Sequence, residues 1–160
     1  MSNIAQSFNV YYNLFTYNST QANIPMKFEI QFDYPLLSKI SDYKVSIVSA
    51  KVDITGNNFP ATIPLDKVLF TSNSLSIIGS VYANNLANNA IMSFDFPQTS
   101  SDQLLYVQPY YPQALTMTNT TPLTRLDMNI LAVLEDGSTQ QMYLAPKKSF
   151  TCRLLFTRIF

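Results

Sequence analysis

The chain has 160 residues, enough for one domain with a sizeable core. Apolar residues are 47% of it, which excludes a disordered chain, while charged residues are only 12%, against about 25% in ordinary soluble domains, and cancel to zero net charge. With no histidine and a single cysteine, Cys152, the composition excludes a histidine-based triad, a zinc centre and an internal disulfide.

Residues 1–26 carry no charge. Phe8, Val10, Tyr12 and Leu14 alternate with Asn9, Tyr11, Asn13 and Phe15, which predicts a strand with aromatics on both faces. Asn18-Ser19-Thr20 reads as a turn. Met26, Phe28, Ile30 and Phe32 against Lys27, Glu29, Gln31 and Asp33 predict a half-buried strand, ended by Pro35. The next strand opens on Tyr43, Val45 and Ile47, and its apolar phase then shifts to Val48, Ala50, Val52 and Ile54. A one-residue jump in the inward register predicts a β-bulge near Ile47–Val48. Gly56 and Pro60 mark a loop, Pro64-Leu65-Asp66 a second turn, and Leu75, Ile77, Gly79 and Val81 a further strand. Ala83 to Asn89 is the one expected helical turn. Ile91 to Phe96 and Leu104 to Gln108 add two strands, punctuated by Pro97, Pro109 and Pro112.

The last forty residues are the most regular. Leu126, Met128, Ile130, Ala132 and Leu134 share one face, and the opposite face turns from Arg125, Asp127 and Asn129 to Leu131 and Val133. That pattern predicts a strand buried on both sides toward its end. Glu135-Asp136-Gly137-Ser138 supplies an Asp-Gly hairpin turn, Gln141 to Leu144 returns, and Pro146-Lys147-Lys148 breaks the chain again. Phe150, Cys152, Leu154, Phe156, Arg158 and Phe160 then fall in one register, with Leu155 and Ile159 in the other. A closing strand this apolar, with no polar tail, is expected to lie in the middle of a sheet. In all, about eight or nine strands at these turn spacings predict an all-β sandwich or barrel with short loops and almost no helix.

Two further windows lack charge, Val68 to Phe94 and Gln103 to Thr124, and both are rich in Tyr, Phe, Met, Leu and Asn. Cores of protein interfaces are enriched in aromatics and Met and depleted in Lys, Glu and Asp. A compact sandwich buries much of each strand in any case, but the loop positions in these windows are uncharged too. The expected contact residues are Phe8, Tyr11 and Tyr12 near the N-terminus and Asn84, Asn85, Tyr110 and Tyr111 in the loops.

Catalytic chemistry is missing from the pattern, and no enzyme is expected. Three glycines cannot build a phosphate-binding loop. Cys152 beside Phe150 and Leu154 reads as core, because a cysteine nucleophile needs a base that the composition lacks. Glu135 and Asp136 explain themselves as a turn, and Asp33, Asp42, Asp53, Asp66 and Asp102 show no calcium-loop spacing. No metal or cofactor is therefore expected. Lys147-Lys148 is the only basic pair and no cation precedes Lys27, so no direct contact with nucleic acid is expected. No cationic start leads into an apolar run and no stretch is long enough to span a bilayer, so neither a signal peptide nor a membrane span is expected. Asn18-Ser19-Thr20 and Asn119-Thr120-Thr121 match the glycan acceptor pattern, which chance explains in a chain this rich in Asn, Ser and Thr.

Pro122-Leu123-Thr124-Arg125-Leu126-Asp127, the Glu135-Asp136-Gly137 turn, and Phe150, Leu154, Leu155, Phe156 and Arg158 together resemble the closing strands of single jelly-roll viral capsid proteins. The resemblance is to the penton and minor capsid proteins of tailless icosahedral double-stranded DNA viruses, the polinton, virophage and adenovirus-like group. It covers about a quarter of the chain by motif; elsewhere the agreement is in strand number and size. It implies a single eight-stranded jelly-roll domain over residues 1–160, with residues 1–24 an arm or edge strand contacting neighbours. It also implies a structural virion protein at the fivefold vertex, partnered by copies of itself in a ring, a pentamer at such a vertex, and by neighbouring major capsid proteins. The competing expectation is a spike, fibre head or lectin-like sandwich in which Tyr106, Tyr110, Tyr111 and the Asn cluster bind a glycan or receptor.

Overall fold

A computed structural model of the chain describes residues 7–15, 23–75, 90–95, 104–107 and 114–159. Two antiparallel sheets face each other. The first runs β1 (Ser7–Phe15), β12 (Ser149–Arg158), β4 (Tyr43–Asp53) and β7 (Leu104–Val107), with β8 (Leu115–Thr116) continuing along the same edge of β4 as β7. The second runs β10 (Thr139–Gln141), β9 (Arg125–Leu134), β5 (Leu65–Thr71) and β6 (Ala90–Asp95), with β3 (Lys27–Gln31) also on β9. A two-stranded ribbon of β2 (Ile24–Pro25) and β11 (Tyr143–Leu144) closes one end. Numbering the eight principal strands in chain order as β1, β3, β4, β5, β6, β7, β9 and β12, the first sheet reads first–eighth–third–sixth and the second reads second–seventh–fourth–fifth. This interleaving of two Greek keys is the jelly roll.

The closing strand is central, as its pattern predicts. β12 is paired on both sides, Phe150 to Leu14 and Lys51 to Thr151 among the contacts, and Phe150, Cys152, Leu154 and Phe156 are all buried. Phe150 joins the two layers. Its ring stacks on Phe28 of β3 at 4.6 Å between centroids and lies 6.4 Å from Phe70 of β5, which in turn meets Phe94 edge-on at 5.5 Å. Aromatic pairs in these geometries add about 0.5–1.5 kcal/mol each beyond the area they bury.

The predicted bulge falls where the apolar phase breaks. Leu154 pairs with Ile47 and Arg153 with Ser49, so Val48 is the extra residue. Val45 and Ile47 are buried before it and Ala50 and Val52 after it, which is why the odd positions point inward first and the even ones later. β9 also behaves as read. Leu126, Met128, Ile130, Ala132 and Leu134 line the main core, while Val133 joins Leu69 and Ala90 in a second buried cluster on the other face. Gly137 takes φ 80°, open to glycine without strain, and the turn is closed by Gly137 N–H to Leu134 O at 2.8 Å.

Other expectations need correction. Pro64-Leu65-Asp66 is not a turn followed by a later strand: Leu65 begins β5, a seven-residue strand between β9 and β6. Val68, Leu69 and Phe70 are consecutively buried because β5 is covered on both faces, so no alternation announces it. Leu75, expected on a strand, is buried just beyond β5, and its expected partners Ile77, Gly79 and Val81 lie outside the described residues, as does the helical turn Ala83 to Asn89. The helix that is present among the described residues is a single 3-10 turn at Ile40–Asp42. The return Gln141 to Leu144 is two strands: at Met142 the chain leaves β9 and crosses to β2, with Met26 N–H donating to Met142 O at 2.8 Å.

Candidate interaction surfaces

β1 brings three of the expected contact residues to a sheet edge. Its register sets Phe8 opposite Phe156, Tyr11 opposite Arg153 and Tyr12 opposite Cys152. Asn84, Asn85, Tyr110 and Tyr111 lie outside the described residues. The large apolar side chains that stand out among the described residues are Tyr34, 84% exposed before Pro35, Tyr143 at 39%, and Ile159. Tyr34 was not singled out by the sequence because a lone tyrosine at the end of a strand carries no periodic signal.

Several of the described carboxylates are committed to structure. Asp136 accepts from the Ser138 N–H and hydroxyl at 2.9 and 2.6 Å, and these bonds hold its carboxyl below the usual range. Asp53 accepts from Thr55 N–H at 2.9 Å and lies 3.6 Å from Lys148. Asp66 and Asp95 flank Lys67 at 3.5 Å each and raise its pKa, chiefly through Asp66. Among the described residues, no group of three or more Cys, Asp or Glu could hold a metal ion, and no helix is long and apolar enough to cross a membrane. The Asn119-Thr120-Thr121 acceptor pattern is a local turn: Asn119 Oδ1 accepts from the Thr121 N–H and hydroxyl at 2.9 and 2.8 Å. Cys152 is 2% exposed, and burial pushes its thiol up to about 12, so it stands neutral in the core.

Asp127 is the strongest polar anchor. Burial pushes its carboxyl up, but bonds from Ser74, Asn73 and Ser72 outweigh that and hold it below the ordinary value. Oδ1 accepts from the Ser74 N–H and hydroxyl at 2.7 and 2.6 Å and from the Ser72 hydroxyl at 3.0 Å; Oδ2 accepts from Asn73 N–H at 3.0 Å. These bonds pin the segment after β5 to the outer face of β9. Glu29 sits directly opposite Asp127 on β3, a like-charge pair, and Arg125 lies 3.9 Å from Glu29.

A cleft of about 570 Å³ opens where the β4–β5 connection, β10 and β11 converge at one end of the sandwich. Among the described residues it is lined by Asn23, Gly56, Asn57, Asn58, Gln140, Gln141 and Tyr143, none of them charged. Asn57 stitches its wall together: Oδ1 accepts from Tyr143 N–H at 2.7 Å and Nδ2 donates to Tyr143 O at 2.9 Å, as a neighbouring strand would. A Cβ on Gly56 would lie 2.7 Å from Ala145 N and 2.8 Å from Tyr143 O, so the two backbones meet there only because residue 56 has no side chain.

No protein-family model and no curated protein matches the chain. Among solved structures, the mavirus penton protein aligns with a TM-score of 0.75 at 7% identity, covering 96% of this chain and 100% of that chain. A chain of the Sputnik virophage structure aligns with a TM-score of 0.69 at 10% identity, covering 94% of this chain and 98% of that one. At these identities the likeness is one of fold. The sequence resemblance covers about a quarter of the chain, whereas the likeness of fold to the mavirus penton protein covers nearly all of it.

Proposed function

We propose that this chain is a structural virion protein: a single jelly-roll domain that closes an icosahedral shell by self-association, as the penton at a fivefold vertex or as a minor capsid subunit. The observation that carries the reading is the near-complete reciprocal coverage with the mavirus penton protein. A role in the shell also suits a chain whose charged residues are 12% of the total and cancel. Near-zero net charge favours association over solitary solubility.

The contacts proposed are heterologous, one flank of a subunit against the unlike flank of the next, since such a contact closes into a ring by rotation. Tyr11, in register with the outer-face Arg153, and Phe8 and Tyr12 on the same β1 edge strand, with Asn84, Asn85, Tyr110 and Tyr111, are the contacts proposed for it, and residues 1–24, as an arm or edge strand, meet the neighbour or the adjacent major capsid proteins. Apolar burial at about 25 cal/mol per Å² drives the contact. With few charges taking part, it responds weakly to salt. The partners are copies of the chain and capsid neighbours, the location is the virion, and the role is non-enzymatic.

Sedimentation velocity on the purified chain and on Tyr110→Asp, Tyr111→Asp and Tyr11→Asp tests this. A charge placed at a desolvated contact weakens association by two to three orders of magnitude, roughly 3–4 kcal/mol. Wild type and all three variants remaining monomeric at high micromolar concentration would refute it.

A further inference from the structure

The amide-lined cleft at the end of the sandwich has a chemistry that shell closure does not use. Its nitrogen donors are largely spent on backbone carbonyls. Asn23 Nδ2 donates to Gly56 O at 2.8 Å, Asn57 Nδ2 to Ile54 O and Tyr143 O at 3.0 and 2.9 Å, and Gln141 Nε2 to Ile130 O and Met142 O at 3.1 and 3.0 Å. Gln140 Nε2 reaches Asn58 O at 3.5 Å. Among the described residues, the carbonyl oxygens of Asn23, Gln140 and Gln141 take up no hydrogen bond, the Asn58 side-chain amide makes none, and neither does the Tyr143 hydroxyl.

What is left at the cleft is therefore neutral: amide oxygens that accept, with the Asn58 amide and the Tyr143 hydroxyl able to donate or accept. An anion such as phosphate or a carboxylate would face those amide oxygens and find no cation among the described lining residues. A metal ion would find no carboxylate to neutralise it. A purely apolar ligand would strand the amide oxygens. A ligand that brings several hydroxyl donors, no net charge and one apolar ring face meets every group present. Adjacent hydroxyls can donate to the amide oxygens while the half-exposed Tyr143 ring lies against the C–H face. The walls are set in advance, because Asn57 holds the Tyr143 backbone from both sides and Gly56 packs against Ala145, so binding loses little to ordering.

From this we infer that the cleft is a binding site for a neutral carbohydrate. The case for it uses none of the loop tyrosines that the sequence points to, and it does not depend on the shell reading. Saturation-transfer NMR on the full chain tests it, using methyl glucoside, galactoside, mannoside and N-acetylglucosaminide and their neutral oligosaccharides as probes, with inorganic phosphate as the anionic control. Saturable transfer from a neutral glycoside is expected, undiminished when inorganic phosphate is added. Tyr143→Ala and Gln140→Ala each weaken it roughly tenfold, the loss of one ring contact or one hydrogen bond. Asn58→Ala, which removes an exposed amide bonded to nothing, gives the same test should either of those variants fail to fold. No saturable transfer from any neutral glycoside, or binding unchanged in all three variants, overturns the assignment. So does a change in oligomeric state in these variants without a change in glycoside binding, which would make the cleft a subunit contact.

Discussion

Deleting Val48 leaves the sandwich folded, whereas deleting Arg153, which pairs with the bulge's neighbour across the ladder, does not. Leu154 pairs with Ile47 and Arg153 with Ser49, so removing Val48 makes Ile47 and Ser49 adjacent opposite adjacent partners. Val45, Ile47, Ala50 and Val52 all keep the core face, and what is lost is a half-buried valine and the local bend, about 1–2 kcal/mol. β12 has no spare residue. After loss of Arg153, either its N-terminal half slips and Phe150 leaves the core, or its C-terminal half slips and Phe156 does. Both rings are fully buried. Losing a core Phe costs about 3–5 kcal/mol, a large part of the roughly 5–15 kcal/mol that holds a domain together. Urea titration followed by far-ultraviolet circular dichroism or by the fluorescence of the ten tyrosines reads both, since the chain has no tryptophan. A Val48 deletion as damaging as the Arg153 deletion would refute the assignment of Val48 as the inserted residue.

Asp127→Ala removes the acceptor for two backbone N–H groups and two hydroxyls and lowers stability by about 2 kcal/mol at neutral pH, a value reduced for the partial exposure of the carboxylate. Because the folded state lowers this pKa, its contribution is complete above the unfolded carboxylate value near ~3.9 and is lost as the pH falls through the folded value. The stability gap between wild type and Asp127→Ala therefore narrows in acid, and a gap constant with pH would contradict the anchoring role. Cys152, with its thiol raised to about 12, stays unreactive to a thiol-exchange reagent until denaturant is added, and Cys152→Ala remains folded; prompt labelling of the native chain would contradict its burial.

Strands with one wet face or a phase break were legible in the sequence, since alternation reports them directly. β9, β12 and the Val48 bulge are of this kind. β5 was not legible, because burial of both faces erases alternation and the Leu65–Lys67 register shift disguises what remains. β2 and β11 are two residues each, too short for any period. The polar features were illegible for another reason: they join residues distant in sequence. Asn57 meets Tyr143 across 86 positions and Asp127 meets Ser74 across 53. No local motif marks an asparagine that will serve as a surrogate strand or an aspartate that will collect a loop's N–H groups. The expected contact residues rest on composition, a property of whole windows, and so locate a surface more surely than a side chain.

The central claim is that uncharged flanks of a jelly roll close copies of the chain into a ring. Native mass spectrometry of the purified protein, with negative-stain imaging, tests it most directly. The account predicts a closed ring of one defined copy number, five at a fivefold vertex, that survives high salt. A chain that stays single at high micromolar concentration, or copies held together only at low ionic strength, would contradict it.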